Sequence, residues 1–120
     1  MFNRTVVHKA LKHTMVLDSP TKLIPENIVK TQSSLISQLI YDIFGGKILK
    51  TRWKNGWHFY NWIDGERIDF TKSEINKTTE YNSFEDLPST PAETRNYFEQ
   101  EDYSNFFLKF IWAFEETVVT

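Results

Sequence analysis

The sequence predicts an α+β domain: a three-stranded antiparallel meander over residues 47–71, packed with a buried helix at 32–44 and joined by N- and C-terminal helices. Three observations predict it. Asn55-Gly56 and Asp64-Gly65 stand between strand-forming runs, and such dipeptides favour type I′ hairpin turns, which need positive φ at both central positions. Leu35, Ile36, Leu39, Ile40, Ile43 and Phe44 form the wide apolar stripe of a largely buried helix. Both ends of the chain carry apolar residues at helical spacing.

The first helix is expected over residues 2–16, with Val6, Val7, Ala10, Leu11 and Met15 on one face. Ser19-Pro20 closes it, and residues 20–31 read as an irregular connector containing Pro20 and Pro25. Thr31 or Ser33 is placed to cap the helix at 32–44, and Gly45-Gly46 ends it because glycine takes the left-handed C′ conformation without penalty. The strands are expected at 47–54, 57–63 and 66–71. Thr71-Lys72-Ser73-Glu74 has the form of a capping box, residues 76–90 are polar and loop-like, and Thr90-Pro91-Ala92-Glu93 is a stronger helix start. The last helix is expected at 103–118, on Phe107, Phe110, Ile111, Phe114 and Val118.

At 120 residues the chain is expected to be one domain, 1–120. Ten Phe, five Tyr and four Trp supply its core volume. Fourteen basic and sixteen acidic residues balance to −2, which gives no electrostatic footprint for nucleic acid or an anionic membrane. The absence of cysteine excludes disulfides, thiolate metal sites and thiol catalysis. Scattered histidines supply no metal-ligand spacing, and no cofactor motif is present. No apolar leader or membrane-length apolar run occurs, so a cytoplasmic protein is expected.

The hairpin turns determine which side chains share a face. A two-residue Asp64-Gly65 loop pairs Ile63 with Glu66 and Trp62 with Arg67, and aligns Tyr60 with Asp69. Alternation then puts His58, Tyr60 and Trp62 on one face with Arg67, Asp69 and Thr71. His58 and Asp69 are diagonal neighbours roughly 7 Å apart at Cα, within reach of a carboxylate–imidazole contact. Such a carboxylate orients a catalytic imidazole; it is also an ordinary polar contact across a hairpin. A nucleophile fits best at the start of the 32–44 helix, where amides stabilise an anion, and Ser33 stands there. As a plain structural residue Ser33 is an N-cap. Trp53, Trp57, Phe59, Tyr60 and Trp62 read as core, and Asn61, on the face opposite His58, as structural.

Gln32-Ser33, Asp42-Ile43-Phe44-Gly45-Gly46-Lys47-Ile48, Trp57-His58-Phe59-Tyr60-Asn61, Asp64-Gly65 and Asp69-Phe70-Thr71 together resemble the bacterial YunG-like proteins. That family's pattern is approximately Gly-Gln-Cys, a helix ending in Asp-x-Phe-Gly-Gly-Glu-Ile, then His-x-Tyr/Trp-Asn, Asp-Gly and Asp-Phe/Leu-Thr. The resemblance covers about residues 31–74. Its Cys, His, Asp order is similar to papain-like and transglutaminase-like folds, and implies His58 as base and Asp69 as its orienter. The cysteine falls on Ser33 and the preceding glycine on Thr31. The same resemblance implies a contribution of Gln32 to an oxyanion site; Tyr60, Trp62 and Trp53 are the further candidate binding residues. A serine in a thiol's place is poorly activated. The expectation is therefore a catalytically impaired relative that binds a peptide, acyl or protein ligand. The alternatives are a serine-dependent hydrolase or acyltransferase using Ser33, His58 and Asp69, and a structural or interaction module.

Overall fold

The two turn dipeptides and the glycine pair organise the sheet. The computed structural model describes residues 2–17, 25–53, 56–70 and 85–119, without the side chains of residues 15–17, 25–31, 53 and 119. The elements in chain order are α1 (Arg4–Leu17), α2 (Pro25–Phe44), β1 (Lys47–Trp53), β2 (Gly56–Ile63), β3 (Glu66–Ile68), β4 (Leu87–Ser89), α3 (Pro91–Thr94), a 3-10 turn (Arg95–Tyr97) and α4 (Gln100–Val119). They form an α+β arrangement in two compact units, one of residues 24–98 and one of the two terminal segments.

In the first unit the strands lie in the order β3-β2-β1-β4, with each neighbouring pair antiparallel. Asp64 and Gly65 both have positive φ, 51° and 78°, as a type I′ turn requires. The register that follows pairs Ile63 with Glu66 and Asn61 with Ile68. Three features differ from expectation. The sheet has a fourth strand: β4 pairs Leu49 with Pro88 and Lys50 with Leu87 on the far edge of β1. Leu87-Pro88-Ser89 reads as loop because proline donates nothing to a ladder, yet an edge strand tolerates it. Gly56 belongs to β2, opposite Trp53, and not to the turn. β3 stops at Ile68, shorter than the expected 66–71.

The helix preceding the sheet also starts earlier than expected, at Pro25 and not at Gln32. Pro25 reads as a breaker within a connector, but the first helical position loses no hydrogen bond to a proline. Ser33, Ser34, Ser37, Ile36, Gln38, Leu39 and Ile40 are buried on α2, whereas Leu35, Ile43 and Phe44 are half-buried. Asn61 Nδ2 donates to Ser37 O at 3.0 Å, so the Phe59/Asn61/Ile63 face of β2 is the one that meets α2. Gly45 closes the helix, its N–H donating to Tyr41 O. Further along, Thr90 caps α3 as its sequence predicts, with Oγ1 accepting from Glu93 N–H at 3.3 Å. The predicted capping box at Thr71–Glu74 lies outside the described residues.

In the second unit α1 packs on α4. Asn3 caps α1, its Oδ1 accepting from Val6 N–H. Val7, Ala10, Leu11 and Thr14 are buried on α1, and Tyr103, Phe106, Phe110 and Ala113 on α4. The α4 stripe is rotated from the predicted one: it begins at Tyr103 and leaves Val118 exposed. No described helix is long and apolar enough to cross a membrane.

Candidate functional site

Strand alternation sends His58, Tyr60 and Trp62 to the sheet face opposite α2. His58 Nε2 and Asp69 Oδ2 lie 2.7 Å apart, with side chains 0% and 4% exposed. The contact that the hairpin register predicts is present, with Asp69 one residue past the last β2–β3 pair. An imidazole and a carboxylate buried together need each other, because removing either strands a polar group away from water. Thr51 is directly cross-strand from His58 and is buried, and its Oγ1 accepts from Glu85 N–H at 2.9 Å. Tyr60 stacks beside the imidazole, with centroids 5.9 Å apart and planes inclined 26°.

Tyr60 is held from its other end. Its hydroxyl donates to Asp86 Oδ1 at 2.7 Å and accepts from Asp86 N–H at 2.9 Å. Arg67 Nε and Nη2 donate to the two oxygens of the same carboxylate. Burial, then the hydrogen bond to and charge of Asp86, push the Tyr60 phenol far above its ordinary value, against the Asp86 amide and the Arg67 charge. The Arg67 hydrogen bonds hold the Asp86 carboxyl below its usual value in spite of burial, helped by the Tyr60 hydroxyl and the Arg67 charge. Asp86 adopts φ +54°, a left-handed conformation that aspartate tolerates better than most residues. Sequence reasoning missed this clasp; the signal available was Arg67 on the His58 face, whose partner arrives from outside the meander.

Ser33 takes a different place from the one expected. It is the ninth residue of α2, not its cap, so the amides of the helix terminus are two turns away. The residue is 1% exposed, and its Oγ accepts from Phe59 N–H at 3.1 Å. That contact has a simple cause. The β2–β3 ladder ends at the Asn61–Ile68 pair, so among the described residues no strand receives the amide of Phe59 on that edge. Ser33 supplies the acceptor. The structure therefore brings His58 to Asp69 and brings Ser33 to the backbone one residue along β2.

The predicted binding residues are spread more widely. Gln32 is half-buried on α2, Trp62 is 36% exposed, and the side chain of Trp53 lies outside the described residues. Trp57, read as core, is half-buried, with Lys50 Nζ 4.3 Å and the Arg52 guanidinium 5.0 Å from its ring centroid. Lys50 also pairs with Glu93, which accepts from Ser89 Oγ at 2.7 Å. Among the described residues no cluster of three metal-ligating side chains occurs.

The sequence model of the YunG protein family matches residues 3–109. One relative, described as "Uncharacterized protein YunG" of Bacillus subtilis (strain 168), is 36% identical over 74 residues. The match spans 62% of this chain and 62% of the relative, somewhat under two thirds of its length. No solved structure matches significantly.

Proposed function

The chain belongs to the YunG family, and from its site we propose that it is a catalytically impaired relative of papain-like and transglutaminase-like thiol enzymes. In this reading Ser33 stands in the thiol's position, His58 and Asp69 persist as base and orienter, and the retained capacity is to bind a peptide, acyl or protein ligand. The observation that carries the reading is the Ser33–Phe59 contact. A serine nucleophile must be reached by substrate and must lose its proton to a base. Here the hydroxyl oxygen is buried and engaged by a backbone amide, far from the helix terminus. It serves as a structural acceptor, a role that asks nothing of its acidity.

The test is chemical. Ser33→Cys is expected to give a thiol whose apparent pKa, read by ultraviolet absorbance of the thiolate because the position is buried, lies below that of a free thiol where the His58–Asp69 pair acts on it. An apparent thiol pKa of about 8.5, that of an unperturbed cysteine, counts against an inherited site. The second reading is a serine hydrolase or acyltransferase that uses the same Ser33, His58 and Asp69. Fluorophosphonate labelling of the native chain that disappears in Ser33→Ala and His58→Ala supports that reading. Absence of labelling and of ester or amide turnover supports the first.

A further inference from the structure

Two residues from outside the meander reach across the face that carries His58. On that face His58 stands directly cross-strand from Thr51 and two residues from Tyr60, so Thr51 and Tyr60 are diagonal neighbours with His58 beside both. β4 begins at Leu87, opposite Lys50, and Asp86 before it leaves extended backbone with φ +54°. Two successive backbone amides then serve that diagonal. Glu85 N–H donates to Thr51 Oγ1 at 2.9 Å, and Asp86 N–H donates to the Tyr60 hydroxyl at 2.9 Å. The side chains of the same two residues hold as well. Asp86 Oδ1 accepts from the Tyr60 hydroxyl at 2.7 Å, and Glu85 Oε1 accepts from Arg52 N–H at 3.0 Å. On its β3 side the imidazole meets Asp69, with Oδ2 2.7 Å from Nε2. Gly56, two residues before His58, brings no side chain to the face.

We propose, resting on the reading of His58 as the site's retained base, that Glu85 and Asp86 form a clip that positions the His58 imidazole through the hydroxyls of Thr51 and Tyr60. A contact at Nε2 fixes one end of an imidazole and leaves rotation about Cβ–Cγ largely unopposed. What packs against the ring must set its plane. The Tyr60 ring does so from 5.9 Å, inclined at 26°. That restraint holds only while Tyr60 is itself held. Both bonds at its hydroxyl go to Asp86, so the ring cannot swing about Cα–Cβ without breaking both. Thr51 bounds the β1 side in the same manner. Its Oγ1 is directed at the Glu85 amide, and that bond selects one rotamer of a β-branched side chain directly opposite His58. Either contact alone is an ordinary anchor for a loop. Here consecutive amides of one segment serve the two side chains that flank one buried imidazole, and that conjunction distinguishes a clip from two unrelated anchors. Thr51 and Tyr60 are thus positioning residues, acting through His58.

The test reads the imidazole itself. An ionised carboxylate only accepts, so Nε2 carries the proton of the Asp69 contact. In the isotope-labelled full chain, NMR follows the exchange of that proton with water, and loss of the signal in His58→Gln assigns it. Thr51→Val and Tyr60→Phe each release one end of the clip and keep a side chain of nearly the same size. Each is expected to speed the exchange at least about tenfold, because a ring free to turn opens its contact more often. Thr51→Ser keeps the acceptor and is expected to stay within about threefold of native. Gly45→Ala is the control for stability: it strains the end of α2, with open space around the added Cβ. It too is expected to stay within about threefold. Circular dichroism verifies folding, and Thr51→Val or Tyr60→Phe carries the test by itself if the other fails to fold. Exchange unchanged in the folded variants overturns the proposal and leaves Thr51 and Tyr60 structural only. An equal rise in Gly45→Ala overturns it, since the exchange then follows overall stability. Thr51→Ser matching Thr51→Val, or a native proton too quick to observe, overturns it as well. Ser33 is native throughout, so these outcomes are separate from the thiol pKa that tests the proposed function.

Discussion

Ser33 Oγ receives the Phe59 amide at 3.1 Å, one residue along β2 from the imidazole of His58. The contact compensates for the early end of β3 and makes Ser33 part of the sheet's hydrogen bonding. Ser33→Ala is therefore expected to destabilise the chain by about 1–3 kcal/mol, the cost of a buried donor left unpaired. Urea unfolding measures it. Ser33→Cys is expected to lose less, since sulfur accepts weakly. A Ser33→Ala change below about 0.5 kcal/mol would show that the amide finds another acceptor.

The buried His58–Asp69 pair makes a second prediction about coupling. His58→Ala and Asp69→Ala are each expected to cost about 3–5 kcal/mol, because each breaks a buried imidazole–carboxylate contact. The double variant is expected to cost clearly less than the sum. Additive losses in the unfolding free energies would mean that the 2.7 Å contact contributes no stability of its own.

The reach of the sequence follows from these same residues. His58 and Asp69 were legible because local turn chemistry sets the β2–β3 register, and a two-residue Asp64-Gly65 turn leaves little choice. Ser33 was misleading as a helix start: it lies two turns inside α2, where its hydroxyl receives the Phe59 amide. Pro25 looked like a break in the chain, and nothing local announces that α2 begins there. β4 was hidden for a related reason: a three-residue strand containing Pro88 has no periodicity to read, and only pairing with β1 creates it. The Tyr60–Asp86–Arg67 clasp depends on that strand, since β4 fixes where residue 86 lies. The α4 stripe was predicted as a helix but with its face turned, because Phe107, Ile111 and Phe114 beside the buried Phe106 and Phe110 fit helical spacing as well.

Acid is expected to weaken the sheet unit through two carboxyls. Burial opposes ionisation of Glu93, but the Lys50 and Ser89 hydrogen bonds and the Lys50 charge outweigh it and hold its carboxyl below the ordinary 4.5. Asp86 lies below its ordinary 3.8, chiefly through Arg67. A depressed carboxyl adds stability above its unfolded value and loses it as pH falls through the folded one. Urea midpoints are therefore expected to be flat with respect to these groups at neutral pH and to fall below about pH 4.5. Glu93→Gln and Asp86→Asn are expected to lower stability at pH 7 and to reduce that fall. An unchanged acid slope in both variants would remove these groups as its cause.

Alkali acts on the opposite side of the same clasp. The Tyr60 phenol is raised above its ordinary 10.0 by burial and by Asp86, so its folded form resists ionisation. A raised acid adds stability below its unfolded value and loses it as pH climbs past that value. Tyr60 is expected to stay un-ionised above pH 10 until the chain unfolds, as read by ultraviolet titration of the native chain against Tyr60→Phe. Tyr60→Phe is expected to abolish the late step and to cost about 1–3 kcal/mol, since the Asp86 amide loses its acceptor.

Gly45 and Gly46 allow the last prediction to separate two costs of adding a side chain. Both have positive φ, 81° and 80°, so alanine at either pays for left-handed backbone, about 1–2 kcal/mol. At Gly45 nothing lies within 4 Å of an added Cβ, and that conformational cost is the whole of it. At Gly46 the added Cβ meets Trp62 O at 2.5 Å and Ile63 Cγ1 at 2.9 Å. The first of these is backbone of the neighbouring strand and moves only if the β1–β2 ladder moves with it. Gly46→Ala is therefore expected to cost at least about 1–3 kcal/mol more than Gly45→Ala, the usual penalty for forcing atoms into a packed region. Thermal and urea unfolding of the two variants give the comparison. Equal losses would mean that the helix end can swing away from Trp62, and that the glycine pair serves only the backbone turn.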